Sequence, residues 1–363
     1  MAVFLILFVY FGLIARLTSN IKEDRTKRLR QALLGGIGLW IIMALRSWTC
    51  GQDLLYAEKG VGYIVQFVNM EYMPFLNALY SDNAYEPGFN LLFWFIYNYI
   101  SPNPQLMLAI TSGIEIGLIG YTLYKQSPNI ILSYIAFACL GLYIFSFSGL
   151  RQGLGFALTF FAFNFIDDKK GWKFFGIVLL AFTVHKSSLL FLPAYFFRDI
   201  SLTKQRAILG VFTVFAFLPV LMPVIQYFSL LIYGKEKYSS YQGGAYGLFA
   251  LFIAMLFFSF KYIPINSASD RKMMQMRWMC LIAIFLQSSG ILSAGALARI
   301  AYNYSIFFCL LLPFTTSTST YSKKINLNTI IAILLVAFFV YCNKDGFLNV
   351  VPYRFFWEEH FDI

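Results

Sequence analysis

Long apolar runs alternate with short basic clusters along the whole chain, and that alternation limits what it can fold into. The runs are 14 to 24 residues long, and about 20 such residues span a bilayer as a helix. Charged residues make up 12% of the 363, against roughly 25% in an average soluble domain. That is too few to coat a soluble protein of this size. The pattern implies an all-α, polytopic integral membrane protein. It argues against a disordered chain, a nucleic-acid binder and a soluble Rossmann or barrel enzyme. A transmembrane β-barrel needs alternating strands of about 10 residues, whereas these runs are continuous.

Five cysteines form no CxxC pair, and three lie inside apolar runs, so a disulfide framework or zinc site is not expected. Two histidines, His185 and His360, are too few for a His-rich metal site. The N-terminus lacks a positive n-region and a small-residue cleavage site, so it reads as a retained first helix. The expected crossings are 1–15, 31–46, 105–124, 130–147, 149–166, 207–232, 246–260, 278–295, 299–314 and 327–342. Two further stretches, 87–100 and 174–197, are less regular, for a total of about 11–13 transmembrane or re-entrant helices in one domain, 1–363.

The net charge of +11 is mostly an orientation signal. Clusters at 16–30, 125, 167–173, 198–206, 261–277 and 323–324 hold 19 of the 28 Lys and Arg and six acids. The positive-inside rule makes these loops cytoplasmic. The alternate loops, external, hold the other nine basic residues and ten acids. Parity then makes 87–100 a re-entrant or surface-lying helix. It makes 174–197 a hairpin with both flanks inside and an external re-entrant tip near 183–188, in His185-Lys186-Ser187-Ser188. Each arm of about 11 residues reaches only half a bilayer. The segments 47–86 and 343–363 become an external loop and an external tail.

Ionisable groups at membrane depth are costly and often mark function. Here Arg46, Asp53, Glu86, Arg151, His185 and Arg299 come from distant segments, yet the topology carries all six to the external face. Arginine forks match phosphate oxygens, and a histidine or carboxylate can take a proton from a hydroxyl. The chain has no HExxH, GxSxG or Walker motif. The set therefore fits a glycosyl transferase with a phosphorylated, lipid-linked donor. Each residue also has a plainer reading. Arg46 could be a snorkelling anchor, His185 a packing residue and Lys186 a hairpin cap. Glu115, mid-helix, reads as a structural hydrogen-bonding group. Gly35-Gly36-x-Gly38 reads as close helix packing.

In order along the chain stand Ala44-Leu45-Arg46-Ser47, Gly51-Gln52-Asp53 with Tyr56, Glu86-Pro87-Gly88-Phe89, Leu150-Arg151-Gln152-Gly153, Val184-His185-Lys186-Ser187-Ser188, Ala298-Arg299-Ile300-Ala301-Tyr302, and Val351-Pro352-Tyr353-Arg354-Phe355. In this order the chain resembles the EpsG family of Wzy-like bacterial exopolysaccharide polymerases. It departs where the family has a tyrosine directly after the loop aspartate: Leu54 follows Asp53. The resemblance implies a GT-C-like polymerase in the bacterial cytoplasmic (inner) membrane with an external site. It would move the growing glycan from undecaprenyl pyrophosphate to the non-reducing end of a lipid-linked repeat unit. Lipid-linked donor and acceptor, membrane lipids and a chain-length regulator protein would be its partners. No cofactor or metal is needed, because the donor carries its own leaving group.

On this reading His185, Asp53 and Glu86 are the candidate proton acceptors. A histidine titrates near neutrality unaided, whereas a carboxylate would need burial. Arg46, Arg151 and Arg299 would bind the pyrophosphate, and Gln152, Lys186, Tyr56 and Tyr302 would complete the pyrophosphate or sugar contacts. Direct displacement would invert the anomeric centre. A lipid-linked oligosaccharide flippase or transporter, and another membrane glycan transferase (an O-acetyltransferase or a ligase), are the competing readings. The charge count makes one direct prediction: cysteines placed at Thr26 and Ser240 will label from opposite sides of the membrane, and labelling of both from one side would overturn the topology.

Overall fold

The computed structural model describes residues 1–55, 62–72, 74–75, 86–166, 171–213, 216, 223, 245–262, 270–291, 300–318 and 327–358. Tyr56, Arg299, His360 and most of the expected crossing 207–232 lie outside the described residues. In chain order the helices are α1 (Ala2–Ser19), α2 (Asp24–Ala44), α3 (Gln52–Leu55), α4 (Tyr63–Val68), α5 (Pro87–Phe95), α6 (Pro104–Gln126), α7 (Ile130–Cys139), α8 (Leu142–Ser148), α9 (Leu150–Ala162) and α10 (Gly171–Val184). A run of 3-10 turns, Lys186–Asp199, follows. Then come α11 (Ala245–Tyr262), α12 (Asp270–Ile291), α13 (Tyr302–Ser305), α14 (Phe308–Thr318) and α15 (Leu327–Asn343). Among the described residues there is no strand, and an isolated antiparallel bridge joins Arg46 to Phe355. α1 and α6, of 18 and 23 residues, are long and apolar enough to cross a membrane; α10 and α15 are shorter apolar helices, as is 246–262.

The chain forms two compact units, Met1–Leu189 with Ile330–Ile363, and Leu190–Thr329. In the first, the glycines of α2 let neighbouring helices close in, as the sequence implied. A Cβ on Gly35 would meet the Tyr134 ring at 2.6 Å, and one on Gly38 would meet the Tyr10 ring at 2.5 Å. Tyr134 and Tyr143 then donate to the α2 carbonyls of Ala32 and Leu39 at 2.8 and 2.7 Å. α6 starts where it does because the Asn103 side chain accepts the Gln105 N–H and Pro104 takes a position that needs no donor. At its other end Arg28 donates to the Tyr124 and Ser127 carbonyls. The apolar run 130–147 is not one straight rod. It breaks at Gly141, whose φ of +83° is left-handed, and α7 and α8 meet at 56°.

The expected external loop 47–86 is not bare. Leu54 together with Tyr63, Ile64 and Phe67 of α4 enters a buried apolar cluster with Phe89, Phe93, Leu150 and Val184. In the second unit Arg277, counted with the basic loop 261–277, is wholly buried and donates to the hydroxyl and carbonyl of Ser259.

Two left-handed glycines separate backbone preference from packing. A Cβ at Gly141 meets nothing within 4 Å, but at Gly51, φ +135°, it would lie 2.3 Å from the Phe147 carbonyl oxygen. Gly141→Ala is therefore expected to cost only about 1–2 kcal/mol, the price of the left-handed backbone. Gly51→Ala should prevent normal folding, because a carbonyl cannot move as a side-chain tip can. Thermal melting of both variants in detergent checks the order.

Candidate functional site

Four elements converge on Glu86. The residue ends the expected external loop and precedes α5, whose first position is Pro87. Gly88 allows α5 to lie on the end of α10, since a Cβ there would fall 2.2 Å from Thr183 Oγ1. α10 makes its last backbone hydrogen bond from His185 N–H to the Ala181 carbonyl, 2.8 Å, and the chain then tightens into 3-10 turns. The helix break thus falls on the histidine, within the expected tip 183–188. α9 enters from Gly149, bringing Arg151 on its first turn.

Glu86 uses both carboxylate oxygens. Oε2 takes a hydrogen bond from Arg151 Nη1 at 2.5 Å. Oε1 accepts the Lys186 backbone N–H at 3.3 Å and lies 3.5 Å from His185 Nδ1. Arg151 Nε also donates to the Tyr63 hydroxyl of α4 at 3.3 Å. The Glu86 side chain is 7% exposed, whereas His185 and Arg151 keep 21% and 26% open. Burial alone would push the Glu86 carboxyl up; His185 beside it and the Arg151 charge outweigh that and hold it down at about 2. An ionised carboxylate next to Nδ1 favours a proton on that nitrogen and leaves the Nε2 lone pair as the ring's acceptor. Glu86 itself, ionised at any working pH and bound on both oxygens, is a poor base and a good orienting group.

The other expected residues are placed as follows. The Asp53 N–H donates to Ser148 Oγ at 3.1 Å, which sets the Gly51-Gln52-Asp53 turn on the end of α8, three residues before Arg151. Lys186 is exposed, and its backbone is the part that meets Glu86. Gln152 is buried. Arg46 has no exposed surface at all, and its guanidinium lies over the Phe147 ring, 4.9 Å from the centroid. Glu115 is buried too, and accepts a hydrogen bond from Ser146, the structural bond expected of it. Tyr302 is half-buried in α13 of the second unit. Tyr56 and Arg299 lie outside the described residues.

Sequence reasoning passed over Tyr63 and Ser148. Tyr63 had a signal, since Tyr63, Ile64 and Phe67 after Gly62 have the spacing of one helical face. Ser148 had none, because its role depends on a contact between segments 95 residues apart. Among the described residues no group of three or more His, Cys, Asp or Glu could hold a metal ion. Compared with known proteins, the chain matches the EpsG family model over residues 32–355. No curated protein and no solved structure matches it.

The depressed Glu86 carboxyl has a definite pH consequence. A group at about 2 when folded and 4.5 ordinarily adds stability above pH 4.5 that is lost as pH falls towards 2. The melting temperature of the wild-type protein in detergent should drop across that window. Glu86→Gln should start lower at neutral pH and show a flatter profile there.

Proposed function

The chain belongs to the EpsG family, whose members are polysaccharide polymerase-like membrane proteins, and from that premise we propose that it polymerises a bacterial surface polysaccharide (exopolysaccharide, capsule or O-antigen) at the outer face of the inner membrane. The observation that carries the reading is the Arg151–Glu86–His185 arrangement, in which one buried carboxylate holds a phosphate-matching cation and a proton acceptor side by side.

In the proposed reaction the terminal sugar hydroxyl of a lipid-linked repeat unit attacks the anomeric carbon of the growing glycan. The new C–O bond forms as the bond to undecaprenyl pyrophosphate breaks, with inversion. The hydroxyl proton passes to His185 Nε2, and Glu86 stabilises the imidazolium from the other side of the ring. Arg151 stabilises the charge that grows on the leaving pyrophosphate. A guanidinium has five N–H donors, so Arg151 can hold Glu86 and Tyr63 and still face a second anion. Arg299, Tyr302, Lys186, Tyr56 and Gln152 are proposed to supply further pyrophosphate or sugar contacts. Asp53, on its turn beside the start of α9, is proposed to face the acceptor. A GT-C-like arrangement of about 11–13 transmembrane or re-entrant helices, a re-entrant His185 tip and a chain-length regulator partner belong to the same proposal. The mechanism needs neither metal nor cofactor.

The test is an assay with purified protein and lipid-linked repeat units, measuring donor binding and turnover separately. His185→Ala should lose about 10²–10⁴-fold in rate and still bind donor. Arg151→Lys should lose affinity and rate together, because an ammonium is a point charge without a fork. Normal polymerisation by Arg151→Lys would remove bidentate pyrophosphate recognition, and normal polymerisation by His185→Ala would make that residue a packing group. A transporter of the same lipid would bind donor and make no polymer in any variant.

A further inference from the structure

The closing motif, Val351-Pro352-Tyr353-Arg354-Phe355, takes no part in the reaction proposed above, yet it is built onto the segment that leads to Asp53. Arg46 and Phe355 face each other in the antiparallel bridge. On either side of them the Ser47 N–H donates to the Arg354 carbonyl at 2.8 Å, and the Phe356 N–H donates to the Leu45 carbonyl at 3.0 Å. Farther along, the Arg354 N–H donates to Cys50 Sγ at 3.2 Å. Tyr353 is buried, and its hydroxyl donates to the Ile42 carbonyl at 2.8 Å, in the last turn of α2, where helix carbonyls run out of partners.

The same segment is docked on its other side against the end of α8. Gly51, φ +135°, lies where a Cβ would fall 2.3 Å from the Phe147 carbonyl oxygen, and the Asp53 N–H donates to Ser148 Oγ at 3.1 Å. Tyr353 meets α8 too, its ring edge-on to that of Phe147 with centroids 6.4 Å apart. Phe147 is therefore shared: its ring meets the closing motif and its carbonyl meets the turn of Asp53. Ser148 is followed by Gly149 and then by α9, with Arg151 on its first turn. No helix lies between Ala44 and Gln52. A stretch without its own helix bonds keeps one conformation only through ties of this kind, because ordering a backbone is costly.

We propose that residues 353–356 are a strap that positions the loop 45–53, with Tyr353 and Ser148 as positioning residues: Tyr353 ties the loop to the far end of the chain, and Ser148 seats its Asp53 turn beside the start of α9. The strap acts through that turn and not by touching substrate. Its effect on turnover rests on the polymerase reading; its effect on the loop does not.

The experiment compares wild type with Tyr353→Phe, Ser148→Ala, the double variant and a chain ending at Val350, each purified in detergent and normalised to folded protein. Backbone amide exchange over residues 47–55, which reports local opening, is read against α6 and α9 as internal references. Tyr353→Phe loses one hydrogen bond and keeps the ring and the backbone pairs, so exchange at 50–55 should rise about threefold to tenfold while α6 and α9 stay as in wild type. The shortened chain should show a larger rise in the same residues. Unchanged exchange at 50–55 in Tyr353→Phe, or a rise shared equally by α6 and α9, would overturn the proposal, and this variant decides even where the shortened chain does not fold. With lipid-linked repeat units, Tyr353→Phe and Ser148→Ala should each turn over about threefold to tenfold more slowly. The double variant should stay within about twofold of the slower single one, since both release the same turn. Losses that multiply, or wild-type turnover in both single variants, would also overturn the proposal. A wild-type protein that makes no polymer would defeat the polymerase reading and leave amide exchange to decide the strap.

Discussion

A carboxylate buried as deeply as that of Glu86 stays ionised only where charge and hydrogen bonds replace the water it has lost. Glu86 meets that condition with groups from two other segments, the Arg151 guanidinium on α9 and the Lys186 N–H and His185 ring at the end of α10. Each partner depends on a local feature of the backbone. α10 must stop at Val184 for the Lys186 N–H to be free of a helix, and α9 must start after Gly149 for Arg151 to lie on its first turn. The ion pair and the helix boundaries therefore require one another.

The glycines of α9 make room for buried polar groups on its neighbours. Gly153 faces the Glu115 carboxylate, and Gly155 faces His185 and Ser188, where a Cβ would lie 3.1 Å from the His185 Cβ and 2.7 Å from Ser188 Oγ. Any side chain at either glycine would displace one of these groups. The short sequence Arg151-Gln152-Gly153-Leu154-Gly155 thus provides the cation beside Glu86, the notch for Glu115 and the notch for His185.

Much of the fold was legible because membrane helices announce themselves by composition. α1, α6 and α15 fall where the apolar runs fall, and the polar interruption at 185–188 coincides with a break in helix. The bend at Gly141 was hidden because the residues around it are apolar on both sides, so hydropathy continues across a change of direction. In the site, charge conspicuous in an apolar chain identified Glu86, Arg151 and His185. It picked out Arg46 equally well, but the burial of that side chain over the Phe147 ring has no local signal. The contacts that 353 and 354 make beside it join segments some 300 residues apart, which no local pattern reveals.

The central claim is that the grouping around Glu86 serves chain growth, and the product of its loss tests this most directly. Removing the chain from its host and analysing undecaprenyl-linked glycans should reveal single repeat units accumulated at the outer face. Polymer should return with the wild-type chain and stay absent with Glu86→Ala expressed at a matched level. Polymer of normal length and amount in the deletion strain, or full restoration by Glu86→Ala, would contradict the account.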